Sequence, residues 1–441
     1  MTRVRDWLAR LPEGAIRRLG ASVAFFLVIA LISGPDGTSS APSYGFRHSL
    51  LRPRVIPFVI VGIGFWVATE LLRRHWGSLS AAGRAGWSAV RERSAPVTDN
   101  RLSRAIPVLL ALTFAVAVPP FLNFHWQTVL VPVIGVFVLL SLGLNVVVGF
   151  AGLLDLGYIA FFAVGSYTTA YFTGRLPVQP PFLLNPFWIL PLAIIAALIA
   201  GVILGAPTLR LRGDYLAIVT LGFGEIAYSF ARNKTDVTGG DSGAFNIPHF
   251  SVHIGPLHYT WGNSQLPYYW VLLVFVIIVF FLFRRLENSR VGRAWAAIRE
   301  DEVAAAATGV PTVRYKILAF AIGASTSGFA GVLYAANVGF ITDSNFVLQQ
   351  SILVLVLVIF GGMGSMWGVL IGAAFLEWLP EYLRNVVPVS DRFIYFGLLI
   401  ILMMIFRPQG MLPSRRRSLE IRQAEHGIGE ADALGLPKEV A

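Results

Sequence analysis

Few groups in this chain could do chemistry, and five draw notice because their neighbours are apolar. Asn145, Asp155, Asp214, Glu225 and Glu377 interrupt runs of Val, Leu, Ile, Phe, Ala and Gly. An ionisable group at membrane depth is costly, so each is a candidate for handling a polar solute or a proton. Asp214 and Glu377 fall near the ends of their runs, where an interfacial carboxylate needs no special role. Asp155 lies between Gly152 and Gly157 at an expected helix break. There it either caps the following helix at its amino end, the preferred reading, or contacts a substrate. Glu225 follows Thr220-Leu221-Gly222-Phe223-Gly224, whose glycines let another helix or a ligand approach the backbone. Its carboxylate needs a partner, either Arg232 or a residue on a second chain.

Other chemistries are excluded by what is missing. There is no Cys, so disulfides, iron–sulfur clusters and thiolate metal sites are ruled out. The seven His residues are scattered, with no pair at metal-binding helical spacing. No Gly-Lys dipeptide occurs anywhere, so the chain carries no phosphate loop. Neither H-E-x-x-H nor G-x-S-x-G is present. No enzymatic activity and no cofactor are expected. One Gly-rich turn, Thr238-Gly239-Gly240-Asp241-Ser242-Gly243, is of the kind that presents several backbone N–H groups to a carboxylate. A tight loop without ligand is the slightly preferred reading of it.

The elements that must position these groups are membrane helices. Hydrophobic residues make up 56% of the 441 and charged residues 13%, against about 25% charged in soluble domains. The mean hydropathy is +0.68. An all-α polytopic membrane protein follows, with about 8–12 membrane segments, some broken or re-entrant. Candidate spans are 19–33, 55–72, 105–122, 128–150, 156–172, 188–209, 215–231, 268–283, 317–340, 351–361, 367–379 and 393–406. The net charge of +11 lies in loops and tails beside these runs, which fits membrane orientation and not nucleic acid. The positive-inside rule puts 73–104, 210–214, 284–316 and the tail from Arg407 in the cytoplasm. It puts 233–267 outside. Arg47, Arg52 and Arg54 fit this topology poorly. Residues 1–104 read as accessory helices with a basic linker, 105–413 as the core, and 414–441 as a disordered cytoplasmic tail.

Two features give the core a direction. Gly149–Tyr167 and Gly361–Phe375 are similar Gly-punctuated breaks leading into small-residue helices, with Gly364 and Ser365 in the second. Paired interrupted helices point to a transport path, while small-residue packing faces would look the same. The segment 284–316 holds seven basic residues around an alanine-rich stretch, and Gly309 and Pro311 then stop a helix. One helix over 292–308, exposing both charge signs and Trp295, would make a docking surface on the inner membrane face. An ordinary solvated loop is the alternative.

The motifs together resemble the LivM type of permease subunit of bacterial branched-chain amino acid ABC importers. The blocks are Gly143–Gly149 and Gly152–Tyr158, Leu209–Glu225, Thr238-Gly239-Gly240, Gly292–Glu302, Gly361–Ser365 and Arg407–Leu412, all in family order. The resemblance implies an inner-membrane protein that pairs with a LivH-like second permease. It also implies two cytosolic ATPases, which hydrolyse the ATP, and a periplasmic binding protein that delivers Leu, Ile or Val. A substrate path over Asn145, Asp155, Gly157, Glu225, Thr238, Gly239, Gly240, Gly364 and Ser365 would follow. So would ATPase coupling through Gly292, Arg293, Trp295, Arg299, Glu300, Asp301, Glu302 and Gly309. The family's EAA-x-x-x-G pattern is met imperfectly, with Glu302 seven residues before Gly309. Urea or short amides as substrate of the same architecture, and an ion-coupled carrier using Asp155 and Glu225, are the rival readings.

Overall fold

The computed structural model describes residues 113–412, apart from 114, 118, 209–213, 255–256, 263–264, 386–388 and 408. The accessory helices expected before residue 104 and the tail expected after 413 lie outside the described residues. The chain forms two compact units, Ala117–Tyr382 with Leu399–Ala441, and Met1–Val116 with Leu383–Leu398. Everything below concerns the first.

Its helices follow the apolar runs. They are α1 (Phe124–Phe150), α2 (Ile159–Phe172), α3 (Pro186–Thr208), α4 (Asp214–Asn233), α5 (Gln265–Glu287), α6 (Arg290–Glu300), α7 (Glu302–Ala307), α8 (Thr312–Val338), α9 (Leu348–Gly361), α10 (Met366–Tyr382) and α11 (Val389–Phe406). Five stretches among the described residues are long and apolar enough to cross a membrane: α1, α3, α5, α8, and α9 together with the turn from Asp343. The chain is therefore a multi-pass membrane protein. A small antiparallel hairpin joins β1 (Ser251–Ile254) to β2 (Leu257–Thr260) and is an addition to the all-helical expectation.

α8 is the central post and packs on α3, α2 and α1. Lipid tails are as apolar as Leu, so helices associate here through close backbone approach and not through water exclusion. The residues fit that demand. A Cβ on Gly165 of α2 would overlap the Gly328 carbonyl of α8, and a Cβ on Gly328 would strike Ala197 of α3. α1 is almost wholly buried from Ile134 onward, and it is not a regular helix. A π turn over Leu130–Gly135 surrounds Pro132, whose missing N–H and ring a regular turn would not accommodate. A second π turn, Asn145–Phe150, ends the helix.

The two ends of the bundle differ as the charges require. At one end α6 and α7 lie against the last turn of α1 and the first turns of α8. At the other, the polar 233–267 stretch is tied down beside the end of α8. Ala244 pairs with Ile341, and the Tyr268 hydroxyl donates to the Ala336 carbonyl at 2.9 Å.

Candidate functional site

The break after α1 is built from backbone groups that side chains reach. Asp155 is buried, and its Oδ1 accepts from the Gly157 N–H at 2.9 Å while Oδ2 has no partner. It does not cap α2 as expected. α2 begins at Ile159, its N-cap is Tyr158, and no side chain caps it. Asp155 instead closes a turn two residues on, a geometry Asp favours as readily as capping. The Ile159 N–H is satisfied from another element, by Ser351 Oγ of α9 at 3.1 Å. The Tyr158 hydroxyl crosses to α8 and donates to the Gly323 carbonyl at 2.8 Å. Thr220 of α4 accepts from the Leu156 N–H at 3.0 Å, and a Cβ on Gly157 would overlap the Thr220 carbonyl. The break is therefore gripped by α4, α8 and α9. Sequence reasoning missed Tyr158, Thr220 and Ser351, because only the fold brings their hydroxyls to these backbone groups.

The two expected breaks do meet. Asn145, fully buried in the second π turn of α1, accepts through Oδ1 from the Gly364 N–H at 2.9 Å. Gly364 has φ +80°, a conformation that suits glycine, and a Cβ on Gly149 would lie 2.6 Å from its nitrogen. Ser365 turns inward and accepts from the Gly368 N–H, opening α10. The same node receives α6. Arg299 Nη1 donates to the Gly149 carbonyl at 2.6 Å.

The 284–316 segment is helical but is two helices, not one over 292–308. Ser289 caps α6 through Val291 and Gly292, and Asp301 is extended (φ −152°, ψ 111°). The Asp301 carboxylate accepts from the Val303 and Ala304 N–H groups and so starts α7 instead of continuing α6. Gly309, at φ +85°, ends α7 with bonds from Gly309 to Ala306 and from Val310 to Ala305. That is the Schellman arrangement expected of a glycine stop. Trp295 is not exposed for docking. It is fully buried, its indole N–H donates to the Tyr315 carbonyl at 2.7 Å, and its ring stacks on Phe150. Glu302 pairs with Lys316, which is 2% exposed. Of the expected coupling residues, Arg293, Glu300 and Gly309 remain on the surface with their side chains or backbone outward. Val303 and Val313 are exposed beside them.

The remaining candidates do not join this cluster. Thr238 is buried and donates to the Ala231 carbonyl. Gly239 and Gly240 spend their N–H groups on Thr235 and on Thr238 Oγ1. The Gly-rich turn is thus folded on itself and pinned to Ile341, away from the break. Glu225 is exposed, and Arg232 pairs with Asp241 at 3.2 Å and not with Glu225. Glu377 is buried with Oε1 unpartnered, not interfacial as its position near a run end suggested. Among the described residues no cluster of three metal-ligating side chains exists.

Known proteins place this architecture. A family model described as "Branched-chain amino acid transport system / permease component" matches residues 129–407, most of the chain and all of the unit just described up to the end of α11. The chain belongs to that permease family. Relatives named high-affinity branched-chain amino acid transport system permease protein LivM are 38% identical. The one from Salmonella typhimurium aligns over 350 residues, 75% of this chain and 80% of the relative. The one from Escherichia coli aligns over 347, 74% and 79%. The permease protein BraD of Pseudomonas aeruginosa is 26% identical over 295 residues, 63% of this chain and 91% of that one. No solved structure matches the permease. The matched stretch contains both breaks, α4 and α6–α7, so the node at Gly149, Gly364 and Arg299 lies inside the family's common region.

Proposed function

We propose that this permease imports branched-chain amino acids, Leu, Ile or Val, across the bacterial inner membrane as one half of an ATP-driven importer. The other half is a LivH-like second permease. Two cytosolic ATPases supply the energy, and a periplasmic amino-acid-binding protein delivers the substrate. The 38% identity to LivM proteins over four-fifths of the Salmonella typhimurium protein carries the reading. The absence of a phosphate loop in the sequence agrees with it, since ATP must then be hydrolysed on another chain.

In this reading α6 and α7 form the coupling surface, with Arg293, Glu300, Val303 and Val313 touching the ATPase. Closure of the ATPases pushes α6, and Trp295 and Arg299 pass the motion to α1, α8 and the α9–α10 break. The path itself runs by Asp155, Gly157 and the Asn145–Gly364 seam. Alternating access needs such a rigid element acting on a packing with two arrangements.

The test is reconstitution of the permease with its ATPases, second permease and binding protein in vesicles. ATP-dependent uptake of labelled leucine, competed by isoleucine and valine and not by urea, is the expected result. Uptake that persists without ATP and collapses with the proton gradient would overturn the proposal.

A further inference from the structure

One face of α4 is unaccounted for by this chain. Tyr215, Ile218, Val219, Gly222, Glu225, Ile226 and Phe230 recur at helical spacing, and the large ones are exposed, Ile226 at 69%. Above Gly222 nothing lies within 4 Å of where a Cβ would be. Among the described residues Glu225 makes no hydrogen bond and no ion pair.

The depth of this face makes the carboxylate informative. Gly224 packs on the backbone of Gly157, where a Cβ would stand 3.1 Å from the Gly157 Cα. The next residue, Tyr158, is bonded to Gly323. Gly323 lies eleven residues into α8, or roughly 16 Å along its axis at about 1.5 Å per residue. That is near the middle of a hydrocarbon core roughly 30 Å thick. A carboxylate there does not face lipid tails. It faces protein or water.

Charge decides between the protein occupants. The chain's own apolar runs outside the described residues, 19–33, 55–72 and most of 105–122, carry no Lys, Arg or His within them. They offer Glu225 no cation. A second copy of the chain, inserted with the same orientation, is related by an axis along the membrane normal. Equivalent residues then share one depth, and Glu225 would face Glu225 across a two-fold contact. Like charges at low dielectric disfavour that pairing.

We propose that the Tyr215–Phe230 face of α4 seats a membrane helix of a second, non-identical permease chain, and that this helix presents a cation or a hydrogen-bond donor to Glu225. The gap over Gly222 lets the two backbones approach closely. The inference rests on the transport reading only in expecting a second permease.

The test uses the full complex, with this chain co-expressed with its ATPases and second permease. A photo-crosslinking phenylalanine derivative replaces Ile226, and in a control it replaces Ile203 of α3, which is 64% exposed. The expected result is an adduct from position 226 to the second permease. Peptide mass spectrometry should map it to a helix bearing Arg, Lys, His, Asn or Gln, with no polypeptide adduct from position 203. Adducts to lipid alone, to a differently tagged copy of this chain, or to its own residues 1–112 would overturn the proposal. The variant Ile226→Cys gives an independent reading, because the chain has no other thiol. A lipid-soluble maleimide should label it in the isolated chain and at least several-fold less in the complex. Equal labelling, or labelling of the complex by a membrane-impermeant maleimide, would count against the contact. A complex that transports leucine without the adduct refutes only the surface. One that forms the adduct and does not transport leucine refutes only the substrate.

Discussion

Arg299 Nη1 stands 2.6 Å from the carbonyl oxygen of Gly149, so a helix on the cytoplasmic side holds the last turn of a buried membrane helix. The acceptor is usable because Asn145–Phe150 is a π turn that shifts the usual carbonyl–amide pairing. The same carbonyl lies near Gly364, whose N–H is fixed by Asn145. Three elements distant in sequence meet at one peptide group. Motion of α6 cannot leave both breaks unchanged.

Removing the Arg299 guanidinium should uncouple the ends of this link. A hydrogen bond to a charged group contributes about 1.5–3 kcal/mol. If it acts in the coupled transition, Arg299→Ala slows ATP-driven uptake by about tenfold or more, at roughly 1.4 kcal/mol per factor of ten. ATP hydrolysis by the complex should continue, with fewer substrates moved per ATP. Uptake and hydrolysis measured on the same vesicles decide this. A proportional fall in both would mean simple loss of folded protein.

The exposed charges of α6 should behave differently. Arg293 and Glu300 are on the surface, where substitutions usually change stability by no more than about 0.5 kcal/mol. Arg293→Glu and Glu300→Arg should therefore leave the amount and thermal stability of the permease in membranes unchanged. Uptake should still fall, because charges facing a partner set its docking. Unchanged uptake and unchanged ATPase stimulation would remove α6 from the contact.

Much of this was readable from the sequence. The apolar runs place α1, α3, α5 and α8 to within a few residues, since bilayer thickness sets both run length and helix length. The inward stripe of α6, made by Val291, Ala294, Trp295 and Ile298, is likewise a sequence pattern, and it tells against an exposed Trp295. The split at Asp301 was available in principle, as an Asp just before an alanine run is a start signal. Helix propensity on both sides masked it. What no pattern could supply were pairings between distant segments: Tyr158 with Gly323, Asn145 with Gly364, Arg232 with Asp241. Those depend on which helix faces which.

Two glycines separate packing from propensity. Gly157 has the Thr220 carbonyl where a Cβ would be, and that oxygen is backbone and cannot swing aside. Gly157→Ala should force α4 off the break and cost about 1–3 kcal/mol, as overpacking does. Gly205 in α3 has ordinary space, with Phe320 Cβ 3.6 Å from the added carbon. Gly205→Ala should be neutral or stabilise the protein by up to about 1 kcal/mol, the helix-propensity difference. Thermal unfolding in detergent of the two variants should move in opposite directions or leave Gly205→Ala level with the parent.

The ion pair between α7 and α8 gives the last expectation. Lys316 Nζ lies 2.5 Å from Glu302 Oε1, with the lysine side chain 2% exposed and the glutamate 24%. The cost of placing an ammonium there is offset by its partner and by little else among the described residues. Glu302→Gln removes the countercharge and leaves the cation buried, a change that costs about 3–5 kcal/mol when the pair is fully enclosed. Partial exposure of Glu302 puts this case toward the lower end. The double variant Glu302→Gln with Lys316→Met removes the charge as well as its partner, and apolar replacements of buried pairs are often neutral. Thermal stability should therefore drop in Glu302→Gln and return in the double variant. Uptake should not return with it if the pair also keeps α7 in register with α8 during coupling. A double variant as unstable as the single one would mean that Glu302 acts through other contacts and that the pair does not set the stability of α7.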